Sequence, residues 1–555
     1  MGRLRRFVCL CLLLPVWVAA AGDERSAQVD KIFAAWDKAD TPGLALAVLR
    51  DGQVEYSRGY GLAQLEYGVR ITPSTVFHVA SLSKQFTAFA IQLLVQDGKL
   101  ALDDPVRKVV PELQLPAITI RQLLNHTSGL RDQWSLLTLA GLRLDDVITE
   151  ADILGLLAQQ RELNFAPGDE ELYSNSGYTV LALIVRRVSG LPLSSFAQQR
   201  IFGPLGMTST HFQDSYGTPV KGRAYSYQRT REGYRYVALS YSNVGATSLF
   251  TTVEDLARWD RNFDVATVGG AAVQAAMLQR GRLNNGREIN YASGLVIGRY
   301  RGLPIVEHSG ADAGYRSHLL RFAGQHLTVL LLGNAAELNT GELSRRVADI
   351  YLEGTPGVEP ARVFPAEVEL DARALQPFLG DFEMRPGFVL TFSAEGNRLQ
   401  VQATGQPRFP MFASAEDRFF TKAFEAAVRF DPPATAGGVV ATATWQQGGR
   451  DLPLKRVVRD TPSAEALQAC VGEYYSDELR TLYRLWVRDG KLMLRVPRGE
   501  MALEPMSLRD LFSAPFPVIA LQLRRNAAGS CESFAVTTGR VRNLLFRRVL
   551  LMPVS

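Results

Sequence analysis

The chain has 555 residues, which is too long for a single domain and predicts about three. With 46% hydrophobic and 21% charged residues, its composition is that of an ordinary globular protein with ample material for cores. The formal charge of +5 does not argue for nucleic acid or an anionic membrane surface as a partner. Three of the basic residues behind it, Arg3, Arg5 and Arg6, lie in a segment that we expect to be removed.

That segment, residues 1–21, has the pattern of a secretory signal. Its basic start is followed by an apolar run from Phe7 to Val18 and by the small residues Ala19–Ala21. The run is short for a membrane-spanning helix, and an uncleaved anchor is the alternative. We therefore expect an exported protein, periplasmic or secreted, with no stable membrane span once the segment is removed.

The chain has four cysteines, two in the signal segment and two in the expected second barrel. Cys9 and Cys11 lie in the signal segment, and neither follows a small residue as a lipid-attachment site would. Cys470 and Cys531 would be free to pair in an oxidising compartment. Pairing cannot be deduced from two cysteines alone.

Residues 22–354 have strand-like runs at both ends and helical spacing between them. Two early runs, Leu44–Leu49 and Gln53–Tyr60, flank a turn signal and suggest a hairpin. The later strand-like runs are Tyr291–Arg299, Leu303–Glu307, Arg316–Phe322 and His326–Leu332. This order predicts an α/β (α+β) domain: one antiparallel sheet built from both ends and flanked by helices, plus a helical subdomain, with a cleft between the two.

The chain changes in texture after a Gly- and Pro-rich linker, residues 355–368. Short alternating strands follow, and sequence words recur: Leu375–Phe382 resembles Leu467–Tyr474, and Lys455–Val457 resembles Arg547–Val549. We expect two copies of an all-β antiparallel barrel, lipocalin-like and about eight strands each, at residues 369–460 and 461–555. Coincidence of common turn words is the alternative.

The stretch Phe77–Val95 carries the first chemical signal. Ser81 and Lys84 stand three apart where a helix should begin, so their side chains would share one face. A serine nucleophile needs a nearby base and backbone donors for an oxyanion, and a lysine serves as base only if its pKa is lowered. Such a short pattern also arises by chance, with Ser81 as an ordinary N-cap and Lys84 solvated.

Two further motifs change that balance. Tyr173-Ser-Asn175 precedes a helix expected near Gly177, and His308-Ser-Gly310 ends a late strand. With Ser81-Leu-Ser-Lys84, these resemble the three motifs of the penicillin-recognising serine hydrolases, a family of β-lactamases, D,D-peptidases, D-aminopeptidases and esterases. The resemblance covers roughly residues 28–353 and extends to flanking words. Those words are His126–Leu130, Pro204–Met207 and Asp255–Trp259.

The resemblance implies a role for each motif residue. Ser81 would attack an acyl carbon, Lys84 would accept its proton, and Tyr173 would act as general acid and later help to activate water. Asn175 would donate a hydrogen bond to the substrate or to Lys84. The backbone N–H groups of Ser81 and Ala311 would form the oxyanion hole.

Tyr241-Ser-Asn243 is a second match to the middle motif, but it lacks the Pro-Gly lead-in that precedes Tyr173. No metal or organic cofactor is implied, and the remaining histidines have no zinc-like spacing. The partner implied is a small-molecule or short-peptide substrate; the sequence does not specify the oligomeric state.

By the resemblance, His308 and Gly310 of the third motif would contact the substrate, and His308 indicates which substrates fit. Most β-lactamases carry a lysine where His308 stands, and a largely neutral histidine would anchor a substrate carboxylate less well. His-x-Gly and the doubled β module resemble D-aminopeptidases and related esterases, in which a barrel can lend a loop to the site. We expect an enzyme acting on small D-amino-acid amides, peptides or esters; the alternatives are a β-lactamase or D,D-peptidase, and a catalytically silent binding module.

Overall fold

The computed structural model describes residues 18–360, 363–435 and 437–549. Residues 1–17 of the predicted signal segment lie outside this range. In the described part of the chain no single helix is long and apolar enough to cross a bilayer. One pair of consecutive helices, Asn175–Ser189 and Leu193–Leu205, has the length and composition of a membrane span when taken together, but the pair is bent by 75°.

The helices are confined almost entirely to the first 352 residues. They are α1 Val18–Phe33, α2 Ser83–Gln96, α3 Ile120–Leu124, α4 Gln133–Ala140, α5 Glu150–Leu157, α6 Asn175–Ser189, α7 Leu193–Ala197, α8 Gly203–Leu205, α9 Val253–Val265, α10 Gly270–Leu278, α11 Thr340–Leu352 and α12 Ala464–Gln468. The short 3₁₀ turn Ala80–Leu82 leads into α2.

The strands of this first region fall into one large sheet and several short pairs. They are β1 Leu44–Arg50, β2 Gln53–Tyr60, β3 Leu62–Gln64, β4 Val69–Arg70, β5 Phe77–His78, β6 Ile148–Thr149, β7 His211–Phe212, β8 Tyr227–Thr230, β9 Gly233–Tyr236, β10 Tyr241–Ser242, β11 Leu249–Thr251, β12 Val296–Tyr300, β13 Leu303–Asp312, β14 Tyr315–Phe322 and β15 Leu327–Gly333.

The large sheet has the order β12-β13-β14-β15-β1-β2 and is antiparallel throughout. Strands β1 and β15 are apolar along almost their whole length because helices cover both faces. On one face α1 and α11 pack through Phe33 and Val347; on the other lies the larger core around α2. The predicted sheet from both ends of the domain is confirmed.

The C-terminal region is built almost entirely of antiparallel strands apart from the short helix α12, and it holds a closed barrel and a nearly closed one, as predicted. The strands are β16 Gly380–Arg385, β17 Phe388–Glu395, β18 Arg398–Ala403, β19 Arg408–Ala415, β20 Arg418–Thr421, β21 Ala426–Phe430, β22 Thr442–Gln447, β23 Arg450–Val457, β24 Gly472–Ser476, β25 Thr481–Arg488, β26 Lys491–Val496, β27 Gly499–Ala502, β28 Glu504–Pro505, β29 Leu511–Ser513, β30 Ala520–Arg525, β31 Cys531–Thr537 and β32 Leu544–Arg548.

Strands β16–β23 close on themselves to form the first barrel. Strands β24–β32 form a nine-stranded antiparallel sheet with β27 and β28 at its two edges, and we call it the second barrel. A disulfide between Cys470 and Cys531 links the start of the second barrel to β31.

Two element boundaries differ from the prediction. The strand expected from Tyr291 begins only at Val296, because Gly294 turns the chain against the backbone of α2. A Cβ at Gly294 would come within 2.7 Å of the backbone of Lys84 and Gln85. The helix expected near Gly177 begins at Asn175, so the last residue of the Tyr-Ser-Asn motif is its first turn.

Candidate active site

Ser81 stands on a tight turn between β5 and α2. Ala80 before it has a φ of +48°, an uncommon conformation for a residue with a side chain and one that clusters at functional sites. Gly310 of β13 packs directly on this turn, since a Cβ there would lie 2.3 Å from the Val79 carbonyl oxygen and 3.1 Å from Ala80 Cβ. The glycine therefore brings the backbone of the next residue, Ala311, beside Ser81.

Lys84 lies one turn further on and is fully buried. Its Nζ is 3.0 Å from Ser81 Oγ, 2.8 Å from Asn175 Oδ1 and 2.7 Å from the Ala246 carbonyl oxygen. The last two oxygens can only accept hydrogen bonds. A neutral amine would therefore use its two hydrogens on Asn175 and Ala246 and turn its lone pair to the Ser81 hydroxyl, which can donate.

The surroundings of Lys84 favour that neutral amine. Burial lowers its pKa from 10.5 to about 7, while the nearby carboxylates of Asp312 and Asp132 act in the opposite direction and Arg540 lowers it further. A substantial fraction of Lys84 is thus unprotonated at neutral pH. This is the condition that the sequence interpretation set for a lysine base.

Asn175 is held in one orientation by Asp132. Asp132 Oδ2 accepts hydrogen bonds at 2.8 Å from both the backbone N and the side-chain Nδ2 of Asn175. Because the amide nitrogen is committed to Asp132, the amide oxygen is turned to Lys84. Asn175 therefore accepts from Lys84, and the expectation that it would donate to Lys84 is wrong. Asp132 itself is fixed as the N-cap of α4.

Tyr173 covers the other side of Lys84, whose Nζ lies 4.9 Å from the ring centroid. The Tyr173 ring packs on His126 at 4.2 Å. Burial raises the pKa of Tyr173 far above its usual 10, although a hydrogen bond with Ser81 lowers it in part. The hydroxyl is therefore protonated at neutral pH and can donate. Tyr241, the second motif match, instead stacks on Trp134 at 4.7 Å.

His308 is buried and electrically neutral. Its Nδ1 lies 2.7 Å from the Ser309 carbonyl oxygen and therefore carries the proton, which leaves Nε2 to accept from the Tyr291 hydroxyl at 2.9 Å. Burial, with the Lys84 charge, lowers the His308 pKa to about 3. The third motif thus supplies no fixed positive charge.

Sequence reasoning missed three charged residues of this site. Asp132 lies two residues after the flanking word His126–Leu130, and this nearness was the one hint in the sequence that it belongs to the site. Asp312, beside the third motif, accepts a hydrogen bond from Thr247, and burial raises its pKa to about 6. Arg540 comes from the second barrel and had no signal at all.

Arg540 reaches the site on the turn between β31 and β32. Its guanidinium carbon lies 4.8 Å from the centroid of the Tyr173 ring, and its Nη1 lies 3.9 Å from Asp132 Oδ2. The second barrel therefore contributes a side chain to the catalytic domain's cleft. Within the described residues no group of three or more His, Cys, Asp or Glu side chains could hold a metal ion.

Together these groups can perform acyl transfer. The Ser81 hydroxyl faces an amine of lowered pKa, and a phenol that stays protonated lies on the other side of that amine. Gly310, the residue before Ala311, packs on the Ser81 turn.

Known proteins support this chemistry. The Beta-lactamase family matches residues 29–352. The chain belongs to the Beta-lactamase family. A penicillin-binding protein of Bacillus subtilis (strain 168) is 30% identical over 403 residues, which cover 68% of this chain and 88% of that protein. A D-aminopeptidase of Brucella anthropi is 25% identical over 440 residues, 79% of each chain.

The likeness in fold extends past the catalytic domain. The structure of an octameric penicillin-binding protein homologue from Pyrococcus abyssi has a TM-score of 0.55 at 20% identity and covers 86% of this chain and 99% of its own. The chain is thus a serine hydrolase of the Beta-lactamase family, related to D-aminopeptidases and penicillin-binding proteins.

Proposed function

We propose that this Beta-lactamase family protein forms an acyl-enzyme at Ser81, with Lys84 as the base that activates it. The observation that carries the proposal is the environment of Lys84. Two obligate acceptors take its hydrogens, and burial leaves a substantial fraction of it neutral at pH 7, with its lone pair toward the Ser81 hydroxyl.

The remaining groups complete the cycle. Tyr173 donates its proton to the leaving group as the acyl-enzyme forms, with Lys84 available to return a proton to it, and the same pair then activates the water that releases the acyl group. The backbone N–H groups of Ser81 and Ala311 stabilise the oxyanion. Asn175 holds Lys84 in position through its amide oxygen.

The substrates that we propose are small D-amino-acid amides, peptides or esters. Two observations support this class: the D-aminopeptidase of Brucella anthropi is similar over most of both chains, and His308 brings no positive charge to the third motif. A β-lactamase or D,D-peptidase activity is the second candidate, which the likeness to the Bacillus subtilis penicillin-binding protein favours.

A fluorophosphonate probe tests the nucleophile. We expect it to label the wild-type protein and to fail on Ser81→Ala, because only a serine with an adjacent base reacts rapidly. Ser309→Ala is the matched control, since Ser309 is an exposed serine of the third motif and its removal should leave labelling intact. Equal labelling of wild type and Ser81→Ala would refute the assignment. No label on either would favour a binding module.

A substrate panel separates the two enzyme candidates. D-alanine p-nitroanilide and short p-nitrophenyl esters should be turned over more efficiently than a chromogenic cephalosporin. Efficient turnover of the cephalosporin alone would instead assign the protein to the β-lactamases or D,D-peptidases.

Export is also part of the proposal. The signal-like segment 1–21 supports it, and so does the Cys470–Cys531 disulfide, because such bonds persist in oxidising compartments. Fractionation of the native host should find the protein outside the cytoplasm, with the segment removed.

A further inference from the structure

The loop that carries Arg540 is anchored by its backbone. The Arg540 carbonyl oxygen accepts hydrogen bonds from Asn164 Nδ2 at 3.0 Å and from the Asp132 backbone N at 3.3 Å. Two residues on, the Arg542 backbone N donates to Asn164 Oδ1 at 2.8 Å. Buried Arg131 donates to the Arg542 carbonyl oxygen at 2.9 Å. The catalytic domain thus fixes the loop's main chain and does not need the Arg540 side chain to do so.

The Arg540 side chain itself has unused bonding capacity. Its guanidinium lies over the Tyr173 ring and 3.9 Å from Asp132, and among the described residues it makes no hydrogen bond. The side chain is 43% exposed. Asp132 already accepts hydrogen bonds from Asn175 and from the start of α4, and within the described residues the five guanidinium N–H donors of Arg540 have no hydrogen-bond acceptor.

The rest of the site does not compete for this role. Lys84 is buried behind Ser81 and its protons are committed, and His308 is neutral. Asp312 lies on the β13 side and bonds to Thr247. Among these groups Arg540 is the partly exposed cation beside Tyr173. Its charge is felt within the site, since it lowers the pKa of both Lys84 and Tyr173.

We propose that Arg540, delivered by the second barrel, recognises a carboxylate on the leaving-group part of the substrate. The position follows from the proposed function, on which this inference rests: Tyr173 protonates the leaving nitrogen, and the guanidinium lies on the Tyr173 ring. In a short peptide the α-carboxylate of the leaving residue is only two bonds from that nitrogen. A planar guanidinium matches a carboxylate with two parallel hydrogen bonds.

The positive charge that neutral His308 does not supply in the third motif would thus come from Arg540, in a different domain. Substrates of the form D-aminoacyl-amino acid, with a free terminal carboxylate, should be preferred over the same peptides ending in an amide. The expected preference is roughly tenfold to a hundredfold, the range for a partly exposed charge-assisted hydrogen bond.

The test compares D-alanyl-glycine with D-alanyl-glycinamide, two peptides that differ only in the terminal group. Binding is measured by calorimetry on the full-length Ser81→Ala protein, so that no turnover is needed. We expect tighter binding of the acid, and we expect Arg540→Gln in the same background to abolish that preference while Arg540→Lys retains part of it. Arg542→Gln is the matched control, because the Arg542 guanidinium pairs with Glu170 instead of facing Tyr173.

The role of Arg540 in binding and the role of Ser81 as nucleophile can fail independently. Failure of the fluorophosphonate probe on the wild type would refute the Ser81 assignment and leave the binding comparison interpretable. Equal affinity for the two peptides, no binding of either, or a preference that survives Arg540→Gln would overturn the role of Arg540. In the active enzyme, kcat/KM for the acid should fall with Arg540→Gln far more than kcat/KM for the amide.

Discussion

Lys84 shows how burial can lower the pKa of a side chain that is normally charged, as the proposed role of base requires. Its ammonium form would be stabilised by Asp312 and Asp132, yet burial outweighs both and brings the pKa to about 7. The two carboxylates keep the pKa from falling further. The neutral amine and the ammonium form of Lys84 are therefore both populated near pH 7.

The pH dependence of kcat/KM tests this balance. Only neutral Lys84 accepts a proton from Ser81, so activity should be high above pH 7 and fall about tenfold per pH unit below it. Asp312→Asn removes a charge that raises the Lys84 pKa, and should therefore move this acid limb to lower pH. Asp312 itself has a pKa of about 6 and loses charge over the same range in the wild type.

Asp97→Asn is the control for that measurement. Asp97 is the C-cap of α2, the helix whose other end carries Lys84, and it pairs with Arg200. Its removal should leave the pH profile unchanged. An acid limb that stays in place in Asp312→Asn, or moves to higher pH, would show that Asp312 does not act on Lys84.

The residues that sequence reasoning could find are those in short motifs. The structure brings Ser81, Lys84, Tyr173 and Asn175 into one cluster, with His308 close behind Tyr173. The residues that it could not find act through the fold. Asp132 is not part of any of the three motifs, and Arg540 lies in the second barrel, where no motif marks it.

At the scale of elements, the second barrel is joined to the helical subdomain by a buried ion pair. Arg131, which precedes α4, is fully buried and donates to Glu478 Oε2 at 2.6 Å; Glu478 also accepts from the backbone N of Arg161. The same guanidinium donates to carbonyl oxygens of the Arg540 loop. One side chain thus ties two parts of the barrel to the catalytic domain.

Breaking this pair should be costly. Glu478→Gln leaves the buried Arg131 charge without its partner, and we expect the free energy of unfolding to fall by about 3 kcal/mol. Denaturant unfolding monitored by tryptophan fluorescence would measure the loss. Activity on acid-ended peptides should also fall, because the Arg540 loop depends on Arg131.

Glu500→Gln is the matched control in the same barrel. Glu500 pairs with Arg488 on the surface, where both side chains are about half exposed, and such pairs contribute at most about 1 kcal/mol. If Glu478→Gln were no more destabilising than Glu500→Gln, the buried pair would not hold the interface.

For the whole molecule, the two barrels differ in a way that their sequence resemblance conceals. The core of the first barrel is a separate cluster, whereas that of the second is continuous with the core of the catalytic domain. Buried Tyr483 crosses this boundary and donates to the Leu139 carbonyl oxygen at 2.8 Å. The repeated sequence words predicted two barrels because they mark strands and turns. They do not predict which barrel packs on the catalytic domain, since Tyr483 and Glu478, which make that contact, lie outside them.

Cutting the linker tests which interface holds the molecule together. A protease site inserted between Pro356 and Gly357 lies in an exposed turn where a side chain would meet open space. After cleavage we expect the catalytic fragment and the two-barrel fragment to co-elute on size exclusion and to keep fluorophosphonate labelling. The second barrel shares an apolar core with the catalytic domain, so the covalent link is not needed for association.

The same cut in the Glu478→Gln protein should release the fragments more readily. Separation of the wild-type fragments at micromolar concentration would mean that the linker, rather than the shared core, holds Arg540 over Tyr173.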